Sequence, residues 1–209
     1  EAFMYRFHPR TERAVEIATA ELSSVHTFSG AFHFSMGDRS DDVRLDPSLA
    51  GGSTMDVGVY PIDAARTFLG HPDRVSATTV DRRDAGVDTE MAAVLEYDDG
   101  SVARVASGFD APLTQRYRVG ADDGWLEVRS AFDAPDDEAL TIEWARDGER
   151  RTETVEPVDQ YRLEVEHFAR AVAADATPRV DAADTLGTMA VVDAIAESAG
   201  SGGAVDVRD

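Results

Sequence analysis

The segment Gly51-Gly52-Ser53-Thr54-Met55-Asp56-Val57-Gly58-Val59-Tyr60-Pro61-Ile62-Asp63 sets two carboxylates and a phenol at helical intervals. Asp56 and Tyr60 are four apart, so on a helix they share a face one turn apart. Asp63 lies seven from Asp56, on nearly the same stripe. A carboxylate there would accept hydroxyl hydrogens from a polar substrate, and the phenol would exchange a proton with it. The same spacing also fits a bland role, with Asp56 favouring the helix N-terminus and Tyr60 packed with its hydroxyl at the surface. D-x-x-x-Y is a common accident, so spacing alone leaves both readings open.

The elements that would position these groups follow from period and punctuation. Gly51-Gly52-Ser53 reads as a turn with an N-cap, and a helix is predicted over about 54–69, closed by Gly70 and Pro72. Pro61 should kink that helix or loosen its first turns, because it has no N–H to donate. Ala2, Phe3, Met4 and Tyr5 form an apolar stretch of strand length, and Pro9 opens a predicted amphipathic helix over 9–22. Phe28, Phe32, Phe34 and Met36 share one face of a strand over 25–36, and the Asp-rich stretch 37–50 reads as a loop. From 74 to 156 the pattern is β, with at least six largely antiparallel strands. Turns at Asp98-Asp99-Gly100, Asp122-Asp123-Gly124 and Asp147-Gly148 separate them. The face carrying Met91, Leu95 and Tyr97 fits either core or a partner surface. Helices are predicted over 158–174 and 182–198, then a flexible tail over 198–203 and a last edge strand over 204–207. The whole reads as one α+β domain, 1–209, with no repeats or long linkers.

Composition narrows the function classes. The 209 residues include 41 acids and 20 bases, a formal net charge of −21. Such a surface repels nucleic-acid phosphates and anionic membranes. No apolar run approaches the roughly 20 residues of a membrane span, and no signal peptide is visible, which points to the cytoplasm. Zero cysteine excludes disulfides, thiolate nucleophiles and Cys-ligated zinc. All 20 bases are Arg, and Asp outnumbers Glu by 26 to 15. An acidic surface without Lys suits concentrated salt, where a Debye length of roughly 3 Å at 1 M screens self-repulsion. A halophilic source follows as an expectation. The acidic pairs lack Ca²⁺-ligand spacing and the histidines lack H-E-x-x-H, so no metal is expected.

Three segments together carry a resemblance that spans essentially the whole chain. The 51–63 segment resembles the D-x-G-x-[HY]-x-x-D helix of the glucose–fructose oxidoreductase / inositol dehydrogenase family. Glu1-Ala2-Phe3-Met4-Tyr5-Arg6-Phe7-His8-Pro9 is similar to that family's crossover into its second domain, and Asp159-Gln160-Tyr161-Arg162-Leu163-Glu164-Val165-Glu166-His167-Phe168 to its late helix. Tyr60, where many members carry His, resembles the branch with dimeric dihydrodiol dehydrogenase and NADP-dependent xylose dehydrogenases. With the composition, that branch suggests a haloarchaeal member. The resemblance implies a large, mostly antiparallel, open-faced sheet with helices on one face. It also implies Tyr60 as general acid/base, Asp56 as its catalytic partner, and Arg6 and Asp63 as substrate-binding or supporting residues. NADP or NAD would be the cofactor and a sugar, polyol or dihydrodiol the substrate, with a homo-oligomer built through the open sheet face.

The chain departs from that family in two places. It contains no strand–turn–helix with the G-x-G-x-x-[GA] turn that holds dinucleotide phosphates at a helix N-terminus. It also lacks the family's E-K-P lysine. Glu1 is not Met, so residue 1 is not expected to be the biological start. A tyrosine of pKa about 10 needs about 3 to 4 kcal/mol of phenolate stabilisation to act as a base near pH 7 to 8, normally from a nearby cation. The expectation is therefore a C-terminal substrate-binding and oligomerisation domain, inactive without an N-terminal Rossmann domain. The alternatives are a non-catalytic sheet-mediated interaction or ligand-sensing module of the same fold, or a truncated product.

Overall fold

Alternating apolar and polar residues, punctuated by Asp-Gly turns, produce a run of strands that cannot bury one face without a cover. The computed structural model describes residues 1–208. Among the described residues nine strands form one sheet: β1 (Val25–Ser35), β2 (Arg74–Val80), β3 (Glu90–Glu96), β4 (Val102–Gly108), β5 (Asp110–Ala121), β6 (Gly124–Arg129), β7 (Leu140–Arg146), β8 (Glu149–Val155) and β9 (Val205–Asp206). Their spatial order is β8-β7-β6-β5-β1-β4-β3-β2-β9. Neighbours run antiparallel except β1 and β4, which pair in parallel. The predicted α+β architecture, an open sheet with helices on one face, is the one observed.

Register defines the covered face. Phe28, Gly30 and Phe32 of β1 stand opposite Ala103, Val105 and Ser107 of β4, which in turn oppose Leu95, Ala93 and Met91 of β3. All nine are buried. Met91, Leu95 and Tyr97 are thus core, not partner surface. The other face carries Ser29, Ala31, Ala106 and the exposed Arg104, Arg116 and Arg118.

Four α-helices are described: α1 (Pro9–Glu16), α2 (Val59–Leu69), α3 (Gln160–Ala174) and α4 (Ala182–Ser201). α1 continues into a π-wound turn, Ile17–Glu21, and α2 is entered through another, Thr54–Gly58. The second is the loosening that Pro61 predicts, since its ring nitrogen cannot donate to Val57. Glycine lets this helix lie against the sheet. A Cβ on Gly30 would come within 3.0 Å of the Pro61 Cβ, and one on Gly58 within 3.1 Å of the Met91 Cε. α4 starts in a capping box, Asp181 with Asp184, and packs on β2.

Two expectations are corrected. The tail over 198–203 is not loose. α4 runs to Ser201, and the buried Ser198 hydroxyl accepts from the Ala77 N–H at 2.9 Å and donates to the Gly203 carbonyl at 2.6 Å. The apolar run Ala2–Tyr5 is not a strand but leads into a 3₁₀ turn, Met4–Phe7. A tight turn sends successive rings to different neighbours: Tyr5 meets Phe132 and Phe7 meets His167. The 37–50 loop contains two 3₁₀ turns, Val43–Leu45 and Pro47–Leu49, each capped by an Asp side chain.

Candidate active site

Where the π-wound turn meets the β1–β5 end of the covered face, a pocket of about 330 Å³ opens to solvent. Asp56 and Tyr60 both line it, with Phe32 and Phe34 of β1 and Gln115 of β5. The bland reading of Tyr60 is right about its ring, which lies among Phe3, Phe32 and Phe132 at centroid distances of 5.7, 5.6 and 5.8 Å. Its edge is different: the hydroxyl lies 3.6 Å from the Met4 sulfur in the pocket wall. Burial pushes the Tyr60 phenol above the ordinary tyrosine range, and the nearby Tyr161, Asp56, Asp133 and Glu164 push it further the same way. It is therefore a protonated group, held rigidly by aromatic packing, with its polar end on open space.

Asp56 accepts a hydrogen bond from Arg44 Nε at 2.8 Å. Arg44 comes from the 3₁₀ turn in the 37–50 loop and also donates to Asp42 at 3.2 Å. Burial raises the Asp56 pKa, and Arg44 opposes that shift. Sequence reasoning missed Arg44, an arginine among loop aspartates whose only signal was its setting in acidic sequence.

Asp63 lies elsewhere. It is 1% exposed, receives the Tyr5 hydroxyl and stands 3.5 Å from Arg6. Arg6 also lies 3.3 Å from Asp184, so its guanidinium ties the 3₁₀ turn to α2 and α4. Burial lifts the Asp63 carboxyl to about 6, against the pull of Arg6. Neither Arg6 nor Asp63 lines the pocket of Asp56 and Tyr60. Tyr5 links the two places: its ring packs on Tyr60 at 6.1 Å while its hydroxyl serves Asp63. Two further pocket residues, Asp133 after β6 and Tyr161 in the first turn of α3, went unassigned in the sequence because neither belongs to a spaced pair.

The glycine turn before the helix does not fit a dinucleotide phosphate. Asp88 Oδ2 already accepts from the Ser53 hydroxyl at 2.7 Å, the Thr54 N–H at 2.8 Å and the Thr54 hydroxyl at 2.9 Å. A carboxylate thus stands where an anion would bind. Among the described residues no group of three or more His, Cys, Asp or Glu could hold a metal ion.

The chain is 55% identical over 207 residues to D-xylose 1-dehydrogenase (NADP(+)) 2 of Haloferax volcanii, covering 99% of this chain and 64% of that protein. It is 26% identical over 197 residues to a dTDP-3,4-didehydro-2,6-dideoxy-alpha-D-glucose 3-reductase of Actinomadura kijaniata, covering 93% of this chain and 59% of the reductase. Among solved structures, the aldose-aldose oxidoreductase of Caulobacter crescentus complexed with glycerol superposes with a TM-score of 0.88 at 27% identity, covering 98% of this chain and 62% of that one. A 3-ketoreductase of A. kijaniata in complex with NADP and TDP-benzene gives 0.87 at 26%, over 95% and 61%. The chain thus spans less than two thirds of the length of these relatives. Residues 16–127, more than half of it, match the GFO/IDH/MocA C-terminal domain model, and the chain belongs to that family as its C-terminal domain.

Proposed function

We propose that this chain is the substrate-binding and oligomerisation domain of an NADP- or NAD-dependent dehydrogenase acting on a CH–OH group of a sugar, polyol or dihydrodiol. D-xylose is the best-supported substrate, through the 55% identity to the Haloferax enzyme. The observation that carries the reading is the shared pocket: the Tyr60 hydroxyl and the Asp56 carboxylate line one aromatic-walled cavity, four residues apart on a helical turn fixed against the sheet.

In this reading the substrate hydroxyl sits against Tyr60 Oη, which exchanges its proton, while Asp56 accepts a neighbouring hydroxyl and is itself held by Arg44. Tyr5, Arg6 and Asp63 sit behind the pocket and fix the Tyr60 ring. Arg6 and Asp63 are thus proposed to support substrate binding through position. NADP or NAD would supply the hydride acceptor, bound outside this chain, since the glycine turn at 51–53 is already filled by Asp88. The Tyr60 pKa is raised and the guanidinium that lines its pocket, Arg44, is already given to Asp56 and Asp42, so a cation from outside this chain would make the phenol a base. The 209-residue chain alone is accordingly inactive.

Two surfaces support a larger assembly. Tyr161, Val165, Phe168 and Val172 form an apolar stripe along α3, with Val165 67% and Phe168 59% exposed, a face suited to a covering domain. The open sheet face presents the small residues Ser29, Ala31, Ala92 and Ala106, a face proposed to meet a second copy. Among the described residues no helix is long and apolar enough to cross a membrane, and a halophilic cytoplasmic setting fits the −21 charge.

The test compares wild-type and Tyr60→Phe full-length enzyme on a panel of aldoses and polyols. The expected result is a large fall in turnover with the fold intact. An unchanged rate dismisses Tyr60 as the proton carrier.

A further inference from the structure

The pocket holds a second carboxylate beside the Asp56–Tyr60 pair. Asp133 lies in the 130–139 connection between β6 and β7. Two elements pin it. Its N–H donates to Gln115 Oε1 of β5 at 2.6 Å, and its carboxylate accepts from the Tyr161 hydroxyl of α3 at 3.3 Å. An exposed loop aspartate would ordinarily wave in solvent, but this one is fixed in the pocket wall by a strand and a helix.

Charge is lopsided in the part of the pocket that this chain supplies. Asp42, Asp56 and Asp133 are set against the single guanidinium of Arg44, whose Nε and Nη1 are already given to Asp56 and Asp42. A phosphate entering would meet carboxylates and a cation with two donors already in use, and like-charge juxtaposition is costly in a partly desolvated site. A sugar hydroxyl meets the opposite condition, since a carboxylate accepts its hydrogen in a charge-assisted bond. Size agrees: about 330 Å³ lies at the small end of the roughly 300–1,000 Å³ range of ligand pockets.

We propose that Asp133, held by Gln115 and Tyr161, is a specificity-determining residue that accepts a hydroxyl hydrogen from an uncharged monosaccharide and turns away phosphorylated or nucleotide-linked sugars. The inference rests on the reading of this pocket as the substrate site. Asp133 comes from a different element than the D-x-x-x-Y pair, so it would bind a hydroxyl of the sugar without carrying the reacting proton. Its effect belongs to KM more than to kcat.

The test uses the full-length enzyme carrying this chain, with D-xylose as substrate and inorganic pyrophosphate as the anionic probe. Asp133→Asn keeps an acceptor for Tyr161 and the backbone bond to Gln115 while removing the charge. It is expected to raise KM for the free sugar about tenfold, with kcat within about twofold, and to make pyrophosphate inhibit competitively at about tenfold lower concentration. Tyr161→Phe, which frees the Asp133 carboxylate, should raise KM about threefold. Unchanged KM and unchanged inhibition in Asp133→Asn overturn the proposal, as does a loss confined to kcat. Tyr60→Phe separates the two readings. Wild-type turnover in that variant overturns the catalytic pocket and Asp133 with it. Lost turnover there, beside an indifferent Asp133→Asn, overturns the Asp133 proposal alone.

Discussion

Asp56 and Asp63 sit seven residues apart on one helical segment, and each keeps an arginine and a tyrosine for company: Arg44 and Tyr60 around the first, Arg6 and Tyr5 around the second. The residue types match, but the surroundings do not. Asp56 is partly open, and its arginine comes from a surface loop. Asp63 is sealed, its tyrosine hydroxyl is spent on it, and its arginine is shared with Asp184. In the first cluster the phenol faces space that a substrate can fill. In the second it faces only its own carboxylate. Availability to solvent, more than residue identity, separates a group that can exchange protons from one that holds the wall still.

The two tyrosines should differ most. Tyr60→Phe should lower kcat of the full-length enzyme by about 10²–10⁴, the usual worth of general acid–base catalysis, with little change in melting temperature. Equal losses in Tyr60→Phe and Tyr5→Phe would erase the distinction between the clusters. The carboxylates should divide the other way. Asp63→Ala leaves Arg6 and Tyr5 without their buried partner and should cost about 3 kcal/mol of stability, read by chemical denaturation. Asp56→Asn should cost less than about 1 kcal/mol while raising KM about tenfold.

Titration sharpens the same contrast. With its folded pKa raised to about 6, Asp63 binds its proton more tightly in the folded than in the unfolded chain. The proton-linked part of its contribution to stability is therefore fully present below about pH 4 and is lost as pH rises through about 6. The stability difference between wild type and Asp63→Asn should shrink over that window, and the Asp63 carboxyl ¹³C resonance should titrate near 6. A midpoint below 4 would contradict the sealed environment. The smallest expected contrast is in salt. Multimolar KCl should raise the melting temperature of the whole −21 chain, yet leave the Asp63→Ala penalty nearly unchanged, because buried pairs are screened little. An equal melting temperature at low and multimolar KCl would refute the halophilic reading.

Most of the architecture was legible because it rests on local rules. Asp147 and Gly148 both adopt positive φ, as a two-residue hairpin turn requires, and Pro61 sits just past a π-wound entry to α2. The edge strand expected over 204–207 pairs with β2 as Val205–Asp206. The parallel pairing of β1 with β4 was not legible, because it joins residues more than 70 positions apart with no turn between them. Half of the site was equally hidden. Arg44 reaches Asp56 from a loop, and Asp133 reaches the pocket only because Gln115 and Tyr161 converge on it from a strand and a helix.

The order of residues alone says which groups could exchange a proton, since Asp56, Tyr60 and Asp63 fall on one helical stripe and helical spacing is a property of the backbone. It also determined an acidic, Lys-free surface and the lack of a glycine-rich strand–turn–helix. Which of those groups meets solvent depends on the folded chain. Solvent access, desolvation and the choice of ion partner depend on segments brought together from distant parts of the chain, and these put Asp56 at a pocket and Asp63 inside a wall.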